Sequence, residues 1–534
     1  MMALCVFCVP ALGSDAAEEE GAQQAPQEVR VTVTRIIVEG NTVLSDEDLW
    51  EFGRGLKGDN LSLEDMQQIA AALQQLFFDR GYRTTLVVVP PQEFRDGVLR
   101  LRVAEGRVGR VLIEGNEVFS ADHNYLPYLP SEGEPLNWHD LRRGLDRLNA
   151  HPDKTATAVL RAGEAPGTSD LHLLVKEDRP YHLTLRYDNI GTIDTPRSRA
   201  YAILQYDNFF GRSQIGMLQF GTSPADLDKV RQYAATYQIP LGPLGGPLGH
   251  SVILYGGFSE TSTNVVLDVF SLSGKGDVIG AQYRFPLPDL CSFRQELAVG
   301  AEFMKIEDVV SFGGAPAAEN EVRALPLYVL WNASRRHGDG VTGLSAGARY
   351  QKDGLIYSFD DENYRQARAE ASTDFLVLTV GAQRVQHIGK GWTCSLTGEA
   401  QLSNDRLIPS EQYGLGGYDT VRGYRRRVII ADEGVTVRAE LRTPVLPRLL
   451  PEELKEQIQL LAFLDYGLAS NMDVQPGEFN EDELLGTGLG MRAALLDSTV
   501  TARVDVGWGL RDLDATSKNE EGECVGHVGV ECRF

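Results

Sequence analysis

Positive charge, cysteine and long apolar runs are all scarce in this chain. Its 534 residues hold 51 Lys and Arg against 75 Asp and Glu, a formal net charge of −24. That balance argues against a nucleic-acid partner, whose phosphates call for a basic face. Beyond the first dozen residues there is no apolar run of about 18 residues or more, so no helix is expected to span a membrane. The nine histidines are scattered, with neither an H-E-x-x-H nor a Cys/His cluster at zinc spacing. No G-x-x-x-x-G-K-[ST] phosphate loop occurs. The expectation is a chain with no catalytic residue, no metal and no cofactor, and not an enzyme.

The length is too great for one ordinary soluble domain. Residues 2–12 read M-A-L-C-V-F-C-V-P-A-L, the apolar core of a secretory signal, and Ala11 and Gly13 suit cleavage before Ser14. A signal peptide is expected over 1–13, with its basic n-region missing, since no Lys or Arg precedes the core. Cys5 and Cys8 form a C-x-x-C that would leave with this segment, and no lipoprotein pattern precedes either. Residues 14–30 are acidic and Gln/Ala-rich without apolar periodicity, a flexible lead-in.

An internal repeat follows. T-R-I-I-V-E-G-N-T-V-L-S (34–45) and G-R-V-L-I-E-G-N-E-V-F-S (109–120) are each an apolar strand running into a Gly-Asn turn. In the first copy Ser45 is a helix N-cap with Asp48 three residues on. A longer helix starts near Ser62, carrying Met66, Ile69, Leu73 and Leu76 at helical spacing. Strands at 84–89 and 98–103 complete it. The second copy places Trp138, Leu141, Leu145 and Leu148 on one helical face and ends in strands at 156–160 and 170–175. Two domains are expected, over 31–106 and 107–178.

From about Tyr181 every segment reads as a strand. Val435, Val437, Ala439 and Leu441 alternate with Thr436, Arg438, Glu440 and Arg442, and Val500 to Trp508 does the same. Such alternation suits a water-soluble sandwich or a membrane barrel, whose apolar face meets outer-membrane lipid and whose charges line a wet lumen. The signal-like start, aromatic strand ends and a terminal Phe534 favour the barrel. Sixteen strand centres can be placed, near 186, 204, 218, 235, 255, 283, 300, 330, 347, 379, 399, 439, 462, 490, 504 and 530. The near-side connections are mostly short. Cys291, Cys394, Cys524 and Cys532 show no disulfide or metal pattern. The acidic pair Asp360-Asp361 reads as solvated charge.

Between the eleventh and twelfth strands, within a loop at about 409–433, lies L-G-G-Y-D-T-V-R-G-Y (415–424). Glycine lets a backbone press against a wall, and Arg422 in such a place needs a carboxylate, for which Asp465 in F-L-D-Y-G (463–467) is the candidate. V-R-G-Y alone is also compatible with an ordinary surface hairpin. The two motifs together, Gly416, Gly417, Val421, Arg422, Gly423 and Tyr424 followed by Phe463, Asp465 and Gly467, resemble the lid-loop signature of the Omp85 superfamily. They resemble most closely its two-partner secretion transporters of the haemolysin secretion/activation (ShlB/FhaC/HecB) type.

The resemblance implies two α+β POTRA domains followed by a 16-stranded antiparallel transmembrane β-barrel over 179–534, in a Gram-negative outer membrane with the POTRA domains in the periplasm. It implies a sixth extracellular loop folded into the lumen, Arg422 at its tip and Asp465 as partner on the wall. It implies a protein-translocating channel that binds an unfolded partner exoprotein, large and β-helical, at open POTRA sheet edges and exports it without ATP. Phe534 resembles the signal read by the barrel-assembly machinery. The lead-in is too short for both a plug helix and its linker, a departure from the family pattern. An assembly factor of the same superfamily is the alternative function, and a passive porin the weaker one.

Overall fold

The repeated Gly-Asn turns have one geometry in both copies. Gly40 and Gly115 have φ of +87° and +92°, and a β-carbon on them would stand 2.4 Å and 2.3 Å from the carbonyl oxygens of Val103 and Val175. Only glycine fits there. After each turn a carboxylate at the end of the last strand of the same copy accepts the free backbone N–H groups. Glu105 takes that of Thr42, and Glu177 takes those of Glu117 and Val118 at 2.8 and 2.6 Å. The computed structural model describes residues 30–54, 58–94, 97–191, 196–227, 230–266, 271–312, 315–512 and 524–534. The expected signal peptide and almost all of the lead-in lie outside them.

The chain forms two compact units, one of Met1–Val111, Pro130–Leu141 and Leu160–Leu171, the other of Leu112–Leu129, Arg142–Val159 and His172–Phe534. The segment 107–178 is therefore shared between them. In the first copy α1 (Asp46–Arg54) and α2 (Leu63–Asp79) pack on a sheet ordered Arg35–Glu39, Val98–Ala104, Leu86–Val88, the first two strands parallel. Ser62 caps α2 in a reciprocal box with Asp65. Met66, Ile69, Leu73 and Phe77 of α2 are buried with Leu99 and Leu101, each contributing about 2 kcal/mol of hydrophobic stabilisation. A pairing of Val31–Val33 with Gly58–Leu61 was not foreseen; it consists of two very short strands with little periodicity to read.

The second copy has a sheet ordered Arg107–Glu114, Thr168–Glu177, Lys154–Ala162, with α3 (Ala121–Asn124) and α4 (Trp138–Leu148). Leu141 and Leu148 of α4 are buried, but Trp138 is exposed. It sits in the first turn, with the Arg83 guanidinium 5.9 Å from its ring centroid. The apolar stripe thus starts one turn later than its spacing suggests.

Sixteen antiparallel strands close a barrel. They are β1 (Tyr181–Asp188), β2 (Arg199–Phe209), β3 (Gln214–Thr222), β4 (Arg231–Pro240), β5 (Ser251–Val266), β6 (Ser271–Leu290), β7 (Phe293–Phe312), β8 (Ala315–Ala324 continued by Leu327–His337), β9 (Gly340–Gln351), β10 (Phe375–His387), β11 (Thr393–Ser403), β12 (Glu433–Arg442), β13 (Gln457–Ser470), β14 (Glu481–Leu495), β15 (Val500–Gly509) and β16 (Cys524–Arg533). Each centre placed from the sequence falls inside its strand. β8 is interrupted at Leu325-Pro326, where proline has no N–H for the ladder, yet both parts pair with β7. The turns at 291–292 and 338–339 are tight, whereas the connection 443–456 is longer than expected.

Alternation resolves in favour of a membrane barrel because the apolar face is the exposed one. Leu204, Leu218, Ile279, Val380, Leu396, Leu464 and Leu489 all point outward into the surroundings, as lipid-facing positions do. The barrel closes where β16 meets β1, through five register pairs from Gly529–Asp188 to Arg533–Thr184. Phe534 extends this seam, its N–H donating to the Leu183 carbonyl at 2.9 Å. At the other end the Asn189 side chain takes over, accepting from Val528 N–H at 2.7 Å and donating to the Gly526 carbonyl at 2.9 Å.

Candidate functional site

The loop 404–432 joins β11 to β12 and is the sixth on its side of the barrel. Its inner part is a short hairpin, Tyr413–Leu415 against Ile429–Ala431, whose apolar residues form a cluster with Val421, Tyr424, Ala469 and Leu484. Gly416, Gly417 and Gly423 all take positive φ, near +96° to +98°. They turn the chain tightly enough for Val421, Arg422 and Tyr424 to be fully buried against the inner wall.

Arg422 is the centre of this arrangement. Its Nε and Nη2 donate to the two oxygens of Asp465 on β13 at 2.6 and 2.8 Å, and its backbone N–H donates to the same carboxylate at 3.2 Å. Nη1 donates to Glu440 of β12 at 2.6 Å and lies 3.8 Å from Asp505 of β15. The guanidinium stands 3.6 Å from the ring centroid of Phe463. One arginine therefore ties two strands through its fixed fork of donors, a geometry that lysine cannot copy, and faces the charge of a third. Tyr424 fixes the next turn. Its hydroxyl lies 3.0 and 2.9 Å from the carbonyl oxygens of Leu485 and Arg511 and accepts the Arg511 N–H at 3.0 Å.

The wall beneath the loop is stripped of side chains. Gly486, Gly488 and Gly490 on β14 and Gly507 and Gly509 on β15 share the inner face, and Gly488 pairs with Gly507, Gly486 with Gly509. A β-carbon on Gly507 would stand 2.6 Å from Gly423 N, and one on Gly467 2.9 Å from side-chain carbons of Leu415 and Val421. The sequence motif residues on the loop (Gly416, Gly417, Val421, Arg422, Gly423, Tyr424) and on β13 (Phe463, Asp465, Gly467) thus meet in one place. Phe534 lies apart from them, on the seam.

Glu440, Asp505 and the glycine trough were not singled out from the sequence. The two acids are ordinary inward positions in an alternating strand, so nothing marks them. The trough does leave a trace, L-G-T-G-L-G (485–490), glycine at every second position. The sequence also holds a G-x-S-x-G run, Gly343-Leu344-Ser345-Ala346-Gly347. It lies in the middle of β9, hydrogen-bonded to β8 and β10, without the strand-to-helix turn that a nucleophile elbow requires.

Further out, the loop is tied to its neighbours by buried charge. Arg368, just after α5 (Asp361–Ala367), donates to Asp432, to Glu478 at 2.9 Å and to the Leu407 carbonyl at 2.9 Å. Arg406 donates to both oxygens of Glu478 at 3.0 and 2.8 Å. This cluster joins the fifth, sixth and seventh loops. Asp360 caps α5 through the Glu362 N–H, and Asp361 accepts from Thr373 Oγ1 at 2.8 Å, so both belong to this loop structure. Beside the sixth loop the lumen holds a polar cavity of about 750 Å3 lined by Glu296, Gln383, Tyr418, Arg438 and Arg442 among others.

Residues 31–106 match the domain family described as POTRA domain, ShlB-type. Residues 167–273 and 320–493 match the family described as haemolysin secretion/activation protein ShlB/FhaC/HecB. The outer membrane transporter CdiB-2 of Burkholderia pseudomallei (strain 1026b) is 24% identical over 467 residues, 82% of this chain and 73% of the relative. The hemolysin transporter protein ShlB of Serratia marcescens is 30% identical over 229 residues, 42% of this chain and 40% of the relative. Among solved structures, CdiB from Escherichia coli is similar with a TM-score of 0.75 at 20% identity, over 97% of this chain and 93% of that one. BamA from Haemophilus ducreyi lacking POTRA domains 1–3 reaches 0.52 at 14% identity, over 95% and 100%. These structural likenesses establish the fold alone.

Proposed function

The chain belongs to the haemolysin secretion/activation protein family ShlB/FhaC/HecB, as an outer-membrane transporter with its N-terminal domains in the periplasm, and from that premise we propose that it exports one partner exoprotein. The partner arrives unfolded and adds a strand to an open edge of the periplasmic sheets, a recognition through main-chain hydrogen bonds that tolerates many sequences. Arg35–Glu39 in the first copy and the two outer strands of the second copy end their sheets and are the candidates. The exoprotein then passes through the barrel without ATP and folds outside, as a large β-helical protein.

One observation supports the channel reading above the others: the sixth loop lies against the inner wall and is held there by Arg422. A transporter needs a wide lumen that is shut when idle, and a loop carried by a single buried arginine meets both needs. Loop withdrawal is the opening step, and the pairing of Arg422 with Asp465 and Glu440 sets its cost. The barrel-assembly machinery inserts the chain, reading β16 and Phe534.

The test is a comparison of culture supernatant and outer membrane with and without this protein. Loss of one large surface or secreted protein, with other barrels unchanged, is the expected result. A general fall in outer-membrane barrels would replace the export reading with barrel assembly.

A further inference from the structure

Away from the loop, three side chains at the periplasmic end of the barrel converge: Asp153, in the segment after α4, His182 on β1 and Asp207 on β2. One donor atom from each lies within 4.8 Å of the others. His182 Nε2 is 2.8 Å from Asp153 Oδ1 and 3.6 Å from Asp207 Oδ2. Asp153 is 2% exposed and Asp207 fully buried, and each keeps one buried carboxylate oxygen, Asp153 Oδ2 and Asp207 Oδ1, with no hydrogen-bond donor.

The neighbouring groups compensate this charge only in part. Gln205 donates once to Asp207 Oδ2 at 2.9 Å. The Lys154 ammonium is directed elsewhere, to Ser213 Oγ at 2.6 Å and over the Phe119 ring at 4.8 Å. His151 is already used by the backbone, its Nδ1 accepting the Asp153 N–H at 3.2 Å and its Nε2 lying 3.2 Å from the Asp207 carbonyl oxygen. A single imidazole nitrogen between two carboxylates carries at most one proton, enough for one of them. Two buried carboxylates facing one imidazole call for a cation, and one nitrogen with two carboxylate oxygens is a donor set that zinc accepts, with a further position for water. The His182 side chain is one-third exposed, which gives an ion a way in.

We infer that Asp153, His182 and Asp207 form a divalent-metal site of the zinc class that fastens the segment after α4 to the first two barrel strands, beside the seam. The ion replaces the hydrogen bond between His182 and Asp153 and gives both buried carboxylates a counter-charge. Its role is structural. It holds the place where the chain enters the barrel.

The experiment uses the full-length protein without a histidine tag, folded in detergent micelles, stripped with chelator and equilibrated with Zn2+ before desalting. About one zinc per chain is expected, with the temperature of barrel unfolding, read as the electrophoretic shift from folded to unfolded form, raised by several degrees. Asp153→Asn, His182→Gln and Asp207→Asn should each stay folded at low temperature and lose both the ion and the shift. Equal zinc content in the wild type and in all three variants overturns the site, as does no retained zinc in the wild type. If Asp153→Asn or Asp207→Asn stabilises the metal-free protein while zinc leaves the wild type unmoved, the two carboxylates share a proton and the inference also fails.

Discussion

The carbonyl oxygen of Arg422 occupies the place where a side chain at Gly486 would begin: a β-carbon there would stand 1.8 Å from that oxygen. At Gly486 the loop therefore rests directly on the backbone of β14, while Leu484 two residues earlier packs into the loop's apolar cluster. Close seating of this kind makes the loop sensitive to single atoms on either surface, and the following expectations use that sensitivity.

Arg422→Ala and Asp465→Ala should each abolish export more than barrel assembly. Either change strands a buried charge, at a cost of about 3–5 kcal/mol, and releases the loop. Arg422→Lys should not restore export, because an ammonium cannot fork between Asp465 and Glu440. The measurement is exported partner per amount of folded, heat-modifiable barrel. Normal export by both alanine variants would remove the arginine from the mechanism.

Gly486→Ala should unseat the loop while leaving every charged group in place. The expected reading is a raised single-channel conductance in a planar bilayer. Gly526→Ala, where an added β-carbon meets nothing within 4 Å, is the matched control and should conduct like the wild type. Equal conductance of the two variants would mean that the wall yields.

Acid should loosen the cluster of outer loops. Burial pushes the Glu478 carboxyl up, but Arg406, the Gln475 N–H and Arg368 together outweigh it and hold the group at about 2, below its ordinary 4.5. A carboxyl lowered in the folded state contributes stability that is complete above its unfolded value and is lost as the pH falls through the folded one. Protection of the fifth to seventh loops from an acid-stable protease should thus decline between about pH 4.5 and pH 2. Glu478→Gln should be less protected at neutral pH and show a flatter profile.

Ser62→Ala should destabilise the first N-terminal domain by about 1 kcal/mol, the usual loss for a cap, without changing the barrel. Denaturant unfolding followed by tryptophan emission from Trp50 on α1 would read it, and an unchanged midpoint would show that the capping box is idle.

Much of the barrel was legible because lipid demands a simple pattern. Each strand must alternate, and a closed sheet must have an even number of strands when both ends face the periplasm, so counting alternating segments located all sixteen and put 415–424 on the sixth loop. The pairing of Arg422 with Asp465 could be anticipated since a buried arginine needs a carboxylate and few acids lie in glycine-flanked strands. Glu440 and Asp505 could not, because an inward acid looks the same whether it faces water or a guanidinium. The site of Asp153, His182 and Asp207 was invisible for another reason. Its members lie on three separate elements: the pairing of β1 with β2 sets His182 beside Asp207, and the segment after α4 brings Asp153 to them.

A cylinder under internal load carries hoop tension evenly, and it tears where the wall has fewest ties. β1 is joined to β2 by eight register pairs but to β16 by five, and the outer end of that joint is closed by the amide of Asn189. Two of its three bonds come from a side chain, and a turn about its torsions leaves only the Asn189 N–H on the Val528 carbonyl at 3.2 Å. A crack would start there, at the outer rim, and run toward Phe534.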